Sequence, residues 1–142
     1  MGISDSHSAL PGDALSDDFL SGQQAEALMR ALSTWGKLTT IVLHGGCVFE
    51  FKGGFPPGSV AEGYYNLKGA QGFEGHIRLE RIARVRFQDR PHRGRASYAF
   101  VFEDEAGASL FKVFLGRDEQ GEVLADQLAA YERIRASLRI DA

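Results

Sequence analysis

The chain is poor in several residues that would define a fold or a reaction. It holds one cysteine, one tryptophan, two methionines and four prolines in 142 residues. The lone thiol, Cys47, excludes an internal disulfide and fits a reducing, cytoplasmic compartment. No apolar run approaches the ~20 residues that cross a bilayer as a helix, and residues 1–18 carry neither a basic n-region nor an apolar h-region. No membrane insertion and no signal peptide are therefore expected. Positive charge is not in excess. Sixteen Lys and Arg against nineteen Asp and Glu leave a net charge of −3, with no bulk attraction to nucleic acid or anionic lipid. The common catalytic patterns are missing as well: there is no GxSxG elbow, Walker loop, GxGxxG, HExxH or cysteine cluster. The expectation is a binding protein, not an enzyme.

What is present reads as one α+β domain. Seventeen glycines imply many turns, and 44% apolar with 25% charged residues is the composition of a globular domain able to bury a core. Residues 1–18 read as a loose tail and 19–142 as a single domain. Ser21-Gly22-Gln23-Gln24 has capping-box spacing, and Ala25, Leu28, Met29 and Leu32 follow at helical intervals. Gly45-Gly46 separates two apolar runs, 39–43 and 47–51, as a hairpin turn does. Short strands are expected at 63–67, 75–79 and 82–87. A second hairpin joins 97–103 to 109–115, and a closing helix is expected over 118–138. The sum is an antiparallel sheet of about seven strands flanked by an N-terminal and a C-terminal helix.

Three places could carry chemistry. Period-two alternation in 97–103 puts Tyr98, Phe100 and Phe102 on one strand face, where a phenol beside aromatic rings could meet a flat apolar ligand. The bland alternative is a strand-end tyrosine with its ring in the core and its hydroxyl in water. Arg78, Arg81, Arg84, Arg86, Arg90, Arg93 and Arg95 crowd eighteen residues, a stripe suited to carboxylates or phosphates, or simply a solvated face. His92 sits in that stripe, while His76, beside Gly75, reads as a structural hydrogen-bonding residue. Cys47, alternating with Phe49 and Phe51, reads as a small buried hydrophobe. Lys112 interrupts a strand that is apolar on both faces, which points to a covering partner chain and hence a two-fold homodimer.

An ordered set of short motifs adds a resemblance. Trp35-Gly36, Val48-Phe49-Glu50-Phe51, Gly63-Tyr64-Tyr65-Asn66-Leu67, Gly75-His76-Ile77, Phe111-Lys112-Val113-Phe114, Gly116-Arg117-Asp118-Glu119 and Asp126-Gln127-Leu128 together resemble the HutX/ChuX family of intracellular haem-utilisation carrier proteins. The likeness runs over about residues 28–138. It implies a cytoplasmic homodimer, intertwined or side by side, that accepts imported haem and passes it to a degrading enzyme or other acceptor.

The resemblance also implies a site: Tyr98 as axial iron ligand, His92 as a second ligand, Phe100 against the macrocycle, and Arg86, Arg93 and Arg95 for the propionates. The chain departs from the family pattern in two places. Glu62 stands where a histidine is frequent, and His92-Arg93 replaces a usual Phe-Met pair. Two other readings compete with the carrier. One is a nucleic-acid or anionic-ligand module built on the Arg78–Arg95 stripe, against which the net negative charge argues. The other is a haem-processing enzyme, which would need a reductant for which no flavin or nicotinamide motif is present.

Overall fold

The computed structural model describes residues 18–140, so the expected tail lies outside the described residues except for Asp18. Among these described residues nine strands form two antiparallel sheets. The first sheet has six strands in the order β1, β7, β8, β9, β2, β3, and the second has three in the order β4, β5, β6. The large sheet comprises β1 (Phe19–Ser21), β2 (Lys37–His44), β3 (Cys47–Gly54), β7 (Arg84–Asp89), β8 (Tyr98–Glu103) and β9 (Ser109–Leu115). The small one comprises β4 (Gly58–Ala61), β5 (Tyr64–Lys68) and β6 (Glu74–Arg78). Helix α1 spans Ala25–Leu32 and α2 spans Ala125–Ile140.

The α+β class and both hairpins are as expected from the pattern; the single sheet of about seven strands becomes nine strands in two sheets. Gly45 and Gly46 both have positive φ, 57° and 83°, which lets a two-residue turn match the twist of β2 and β3. The capping box at Ser21 and Gln24 is formed, with the Ser21 N–H donating to Gln24 Oε1 at 2.9 Å. Behind it α1 buries Ala25, Leu28, Met29 and Leu32. The closing helix starts seven residues later than its apolar stripe implied. Asp118 Oδ1 accepts from the N–H groups of Gln120 and Glu122, both at 2.9 Å, and Gly121 takes φ 80°. That side-chain-capped turn offers the backbone an alternative to helix, as Asp and Gly in a first turn tend to do.

One buried amide ties the closing helix to two strands. Gln127 Nε2 donates to the carbonyls of Lys37 (2.7 Å) and Trp35 (3.1 Å), and its Oε1 accepts from the Gly116 N–H at 2.7 Å. The core lies between one face of the large sheet and a cover made of α1, α2 and the small sheet. Val85, Phe87, Phe100, Phe102, Val113 and Tyr131 are all closed to solvent. A bulge between Phe102 and Glu103 shifts the β8–β9 register, and Leu110 packs against the core instead of sharing the face of Lys112. Cys47 is exposed at the start of β3, contrary to its expected burial, because β3 is an edge strand.

Candidate functional site

The aromatic face of β8 is where the structure departs most from expectation. Phe100 and Phe102 are fully buried, so neither can line a vacant ligand surface. Phe100 meets the rings of Trp35, Phe87 and Tyr131 at 5.9, 5.4 and 5.0 Å between centroids, and Phe102 stacks on Phe111 at 4.2 Å. Tyr131 of α2 lies across Phe100, and Phe111 of β9 lies across Phe102. Tyr98, at the strand end, is half-buried, with its ring edge-on to Tyr131 at 5.5 Å. Burial, and then the carboxylates of Asp89 and Glu132, push its phenol above the ordinary tyrosine range. It therefore stays protonated at neutral pH.

Two of the cavities among the described residues flank the large sheet, and Tyr98 lines neither of these. The larger of the two, about 720 Å³, opens on the same sheet face as the core, over β9, β2 and β3, and no residue of α1 or α2 lines it. Thr40, Val42, Phe49, Phe51, Leu110 and Phe111 line it from the large sheet. Phe55, Leu67, Phe73 and Ile77 supply further apolar wall. Phe73 stacks on Phe51 at 4.4 Å and meets Phe55 edge-on at 6.1 Å. Phe49 and Phe51 remain 53% and 39% exposed, so aromatic surface is on offer here, not in β8.

Polar groups collect along one border of this cleft: Glu74, His76, Arg78 and Arg81. His76 is the one lining residue with the donor chemistry of a haem-iron ligand. Its Nδ1 lies 2.6 Å from Asn66 Oδ1. An Nδ1–H donated to that amide oxygen leaves Nε2 as the ring atom with a lone pair, on the exposed face of the small sheet. Arg78 is held by Tyr64 Oη at 2.6 Å and Glu80 Oε1 at 3.1 Å, with its guanidinium 4.7 Å from the Tyr64 ring centroid. Those hydrogen bonds raise its pKa further above the ordinary range.

The second cavity, about 400 Å³, lies on the opposite face of the large sheet. Lys37, Lys52, Arg90, His92 and Arg117 border it together with Glu50, Ile41 and Phe114. His92 opens the turn 92–95, in which Arg93 takes φ 53° and the His92 and Arg95 backbones exchange hydrogen bonds at 2.7 and 3.1 Å. Beside the cavity Lys112 is 3% exposed, and its Nζ donates to Gln88 Oε1 at 3.1 Å. Burial, and then the positive charges of Arg90 and Arg86, lower its pKa to about 8.

Two of the three arginines expected to meet the propionates are engaged elsewhere. Arg86 pairs with the buried Glu103 carboxylate, which also meets Arg84 at 3.3 Å. Arg95 donates to the Gln120 carbonyl at 3.2 Å and lies 3.7 Å from Glu122. Arg93 is exposed in the turn. Tyr98 and His92 are thus not brought to a common cavity among those described, and Phe100, Arg86, Arg93 and Arg95 line neither. The residues that do gather were read in the sequence separately: His76 as a structural hydrogen-bonding residue, Arg78 and Arg81 as the front of the arginine stripe, Phe49 and Phe51 as alternate aromatics of a hairpin strand. Among the described residues no group of three or more His, Cys, Asp or Glu side chains could hold a bare metal ion.

Comparison with known proteins agrees with the motif reading. The family model for haem utilisation ChuX/HutX matches residues 18–134. The chain is 39% identical over 128 residues to the intracellular heme transport protein HutX of Vibrio cholerae; the match covers 89% of this chain. It spans 65% of the length of that curated relative. Among solved structures it resembles the heme-binding protein ChuX, with TM-score 0.79 and 30% identity over 86% of this chain and 77% of the other. It also resembles a protein from Agrobacterium tumefaciens, with TM-score 0.80 and 34% identity over 90% of this chain and 73% of the other. The ordered motifs, the two-sheet fold and these matches converge: the chain belongs to the ChuX/HutX haem-utilisation family.

Proposed function

We propose that the chain is a cytoplasmic haem carrier that takes up imported haem and hands it to a haem-degrading enzyme or another acceptor. The observation that carries this reading is the uncovered aromatic cleft between the two sheets. Its volume, about 720 Å³, falls within the range of small-molecule sites. Its walls are Phe, Val, Leu and Ile, which suit a flat apolar macrocycle, and polar side chains gather at its border. A carrier must hold its cargo and also let it go. An open cleft with one axial ligand serves both needs, since an acceptor can approach the exposed ring.

His76 is the iron ligand of this reading, favoured over Tyr98 and His92 because it alone of the three borders the cleft. The chain also forms a homodimer through the outer face of the large sheet. Ile41, Ala99 and Val101 lie there, buried among the side chains of that face, and Phe114 is half-buried beside them. Nothing favours the nucleic-acid alternative: the arginine stripe is divided between two sheet faces and a turn, so it presents no continuous basic track.

The test is an absorbance titration with hemin of the wild type and three variants. Wild type should develop a shifted Soret band at one equivalent, and His76→Ala should move or weaken it. Tyr98→Phe and His92→Ala should leave it in place. A wild type that leaves the hemin spectrum unchanged removes the carrier reading. A band lost only in Tyr98→Phe moves the ligand to the end of β8.

A further inference from the structure

We propose that Arg81, supported by Arg78, reads the acid end of the ligand, so that the cleft selects an apolar macrocycle bearing free carboxylates over its uncharged ester. This rests on the haem reading above and concerns the same cleft.

The inference starts from the chemistry of the border. Apart from Arg78, Arg81 and Glu74, no charged side chain lines the cleft. Arg81 closes the short 3-10 turn Leu79–Arg81 that follows β6, and it is exposed. Its guanidinium makes no hydrogen bond or ion pair among the described residues. Arg78, three residues earlier, is committed to Tyr64 and Glu80 and stacks over the Tyr64 ring, which fixes its position. The border therefore offers one anchored cation and one available cation.

A guanidinium presents a planar fork of donors that matches a carboxylate in bidentate fashion. Beside an apolar wall, an ion pair is screened less than in open water, so the pairing counts for more than a surface contact would. Glu74, the acidic lining residue, opposes a second anion near its own end of β6 and biases the acid groups toward the turn. None of the arginines expected to do this work, Arg86, Arg93 and Arg95, borders the cleft. Selectivity at this border is therefore carried by the 3-10 turn, and iron ligation by a separate residue.

The experiment measures dissociation constants of wild type, Arg81→Gln and Arg78→Gln for hemin, hemin dimethyl ester and iron-free protoporphyrin IX. Wild type should bind the diacids about tenfold more tightly than the diester. Arg81→Gln should abolish that ratio while leaving the ester affinity and the Soret position unchanged. Arg78→Gln should reduce the ratio in part. Protoporphyrin, which needs no axial ligand, should show the same Arg81 dependence as hemin. Equal wild-type affinity for diacid and diester, or an unchanged ratio in Arg81→Gln, overturns this inference and leaves the carrier reading standing. No binding of diacid or diester removes both.

Discussion

Two halves of one sheet face carry similar side chains and meet different fates. Over β7 and β8, the rings of Phe87, Phe100 and Phe102 are wholly closed: Tyr131 of α2 lies against Phe87 and Phe100, and Phe102 stacks on Phe111. Over β2 and β3, Phe49 and Phe51 stay 53% and 39% exposed, and a cleft of about 720 Å³ stands between them and β6. Both halves alternate aromatic and small or polar residues along their strands. What separates a core from a ligand surface is therefore the cover, and the cover is set by where α2 begins. The Asp118 turn holds the helix back to Ala125, and the helix then runs toward β1, where Arg135 bridges Asp18 at 2.5 Å and Asp89 at 3.2 Å.

The largest effect expected from breaking this contrast lies in the closed half. Phe100→Ala removes a ring packed against three others and should cost about 3–5 kcal/mol of stability, read from urea unfolding. Phe49→Ala, in the open half, should change stability by less than about 0.5 kcal/mol. A comparable cost at the two positions would mean that the halves do not differ.

Next comes the buried amine on the far face. Lys112 has its pKa lowered to about 8 in the folded state, against an ordinary 10.5. Between those values the unfolded chain holds the proton that the folded chain has lost. Stability must therefore rise with pH through this window, by up to about 3 kcal/mol in total, and the charged amine weighs against folding below it. Lys112→Met should be more stable than wild type at pH 7, and the gap should narrow as pH rises to 9.5. Urea midpoints across that range check the sign. A gap that stays constant with pH would place the amine in water. A smaller effect belongs to Tyr131→Phe. The hydroxyl lies 3.0 Å from the Gln88 carbonyl and 3.3 Å from that of Ala99, and its loss should cost about 1 kcal/mol in the same assay.

Much of the architecture was legible in the chain. The Gly45-Gly46 turn, the Ser21–Gln24 capping box and the strand at 109–115 each rest on local chemistry, and each formed where expected. The start of α2 was misread because an apolar stripe cannot register that Asp118 captures two backbone N–H groups. The division into two sheets was also hidden, since strand order depends on contacts far apart in sequence. For the site, period-two alternation correctly grouped Tyr98, Phe100 and Phe102 on a face. Alternation is silent about what packs on that face, so it left a ligand surface and a core face both open, and Tyr131 packs against Tyr98 and Phe100 there. Arginine counting had the same weakness: it found the stripe but not that Arg84 and Arg86 turn to Glu103 while Arg78 and Arg81 border the cleft.

The central claim is that haem occupies the open half of the sheet face. Phe49→Glu tests it most directly, because this exposed side chain can be replaced without emptying the core, and the new carboxylate would charge the floor of the cleft. In a hemin titration followed by Soret absorbance, the account predicts at least about a tenfold loss of affinity with an unchanged urea midpoint. Wild-type affinity in Phe49→Glu, together with loss of binding in Tyr98→Phe, would contradict it.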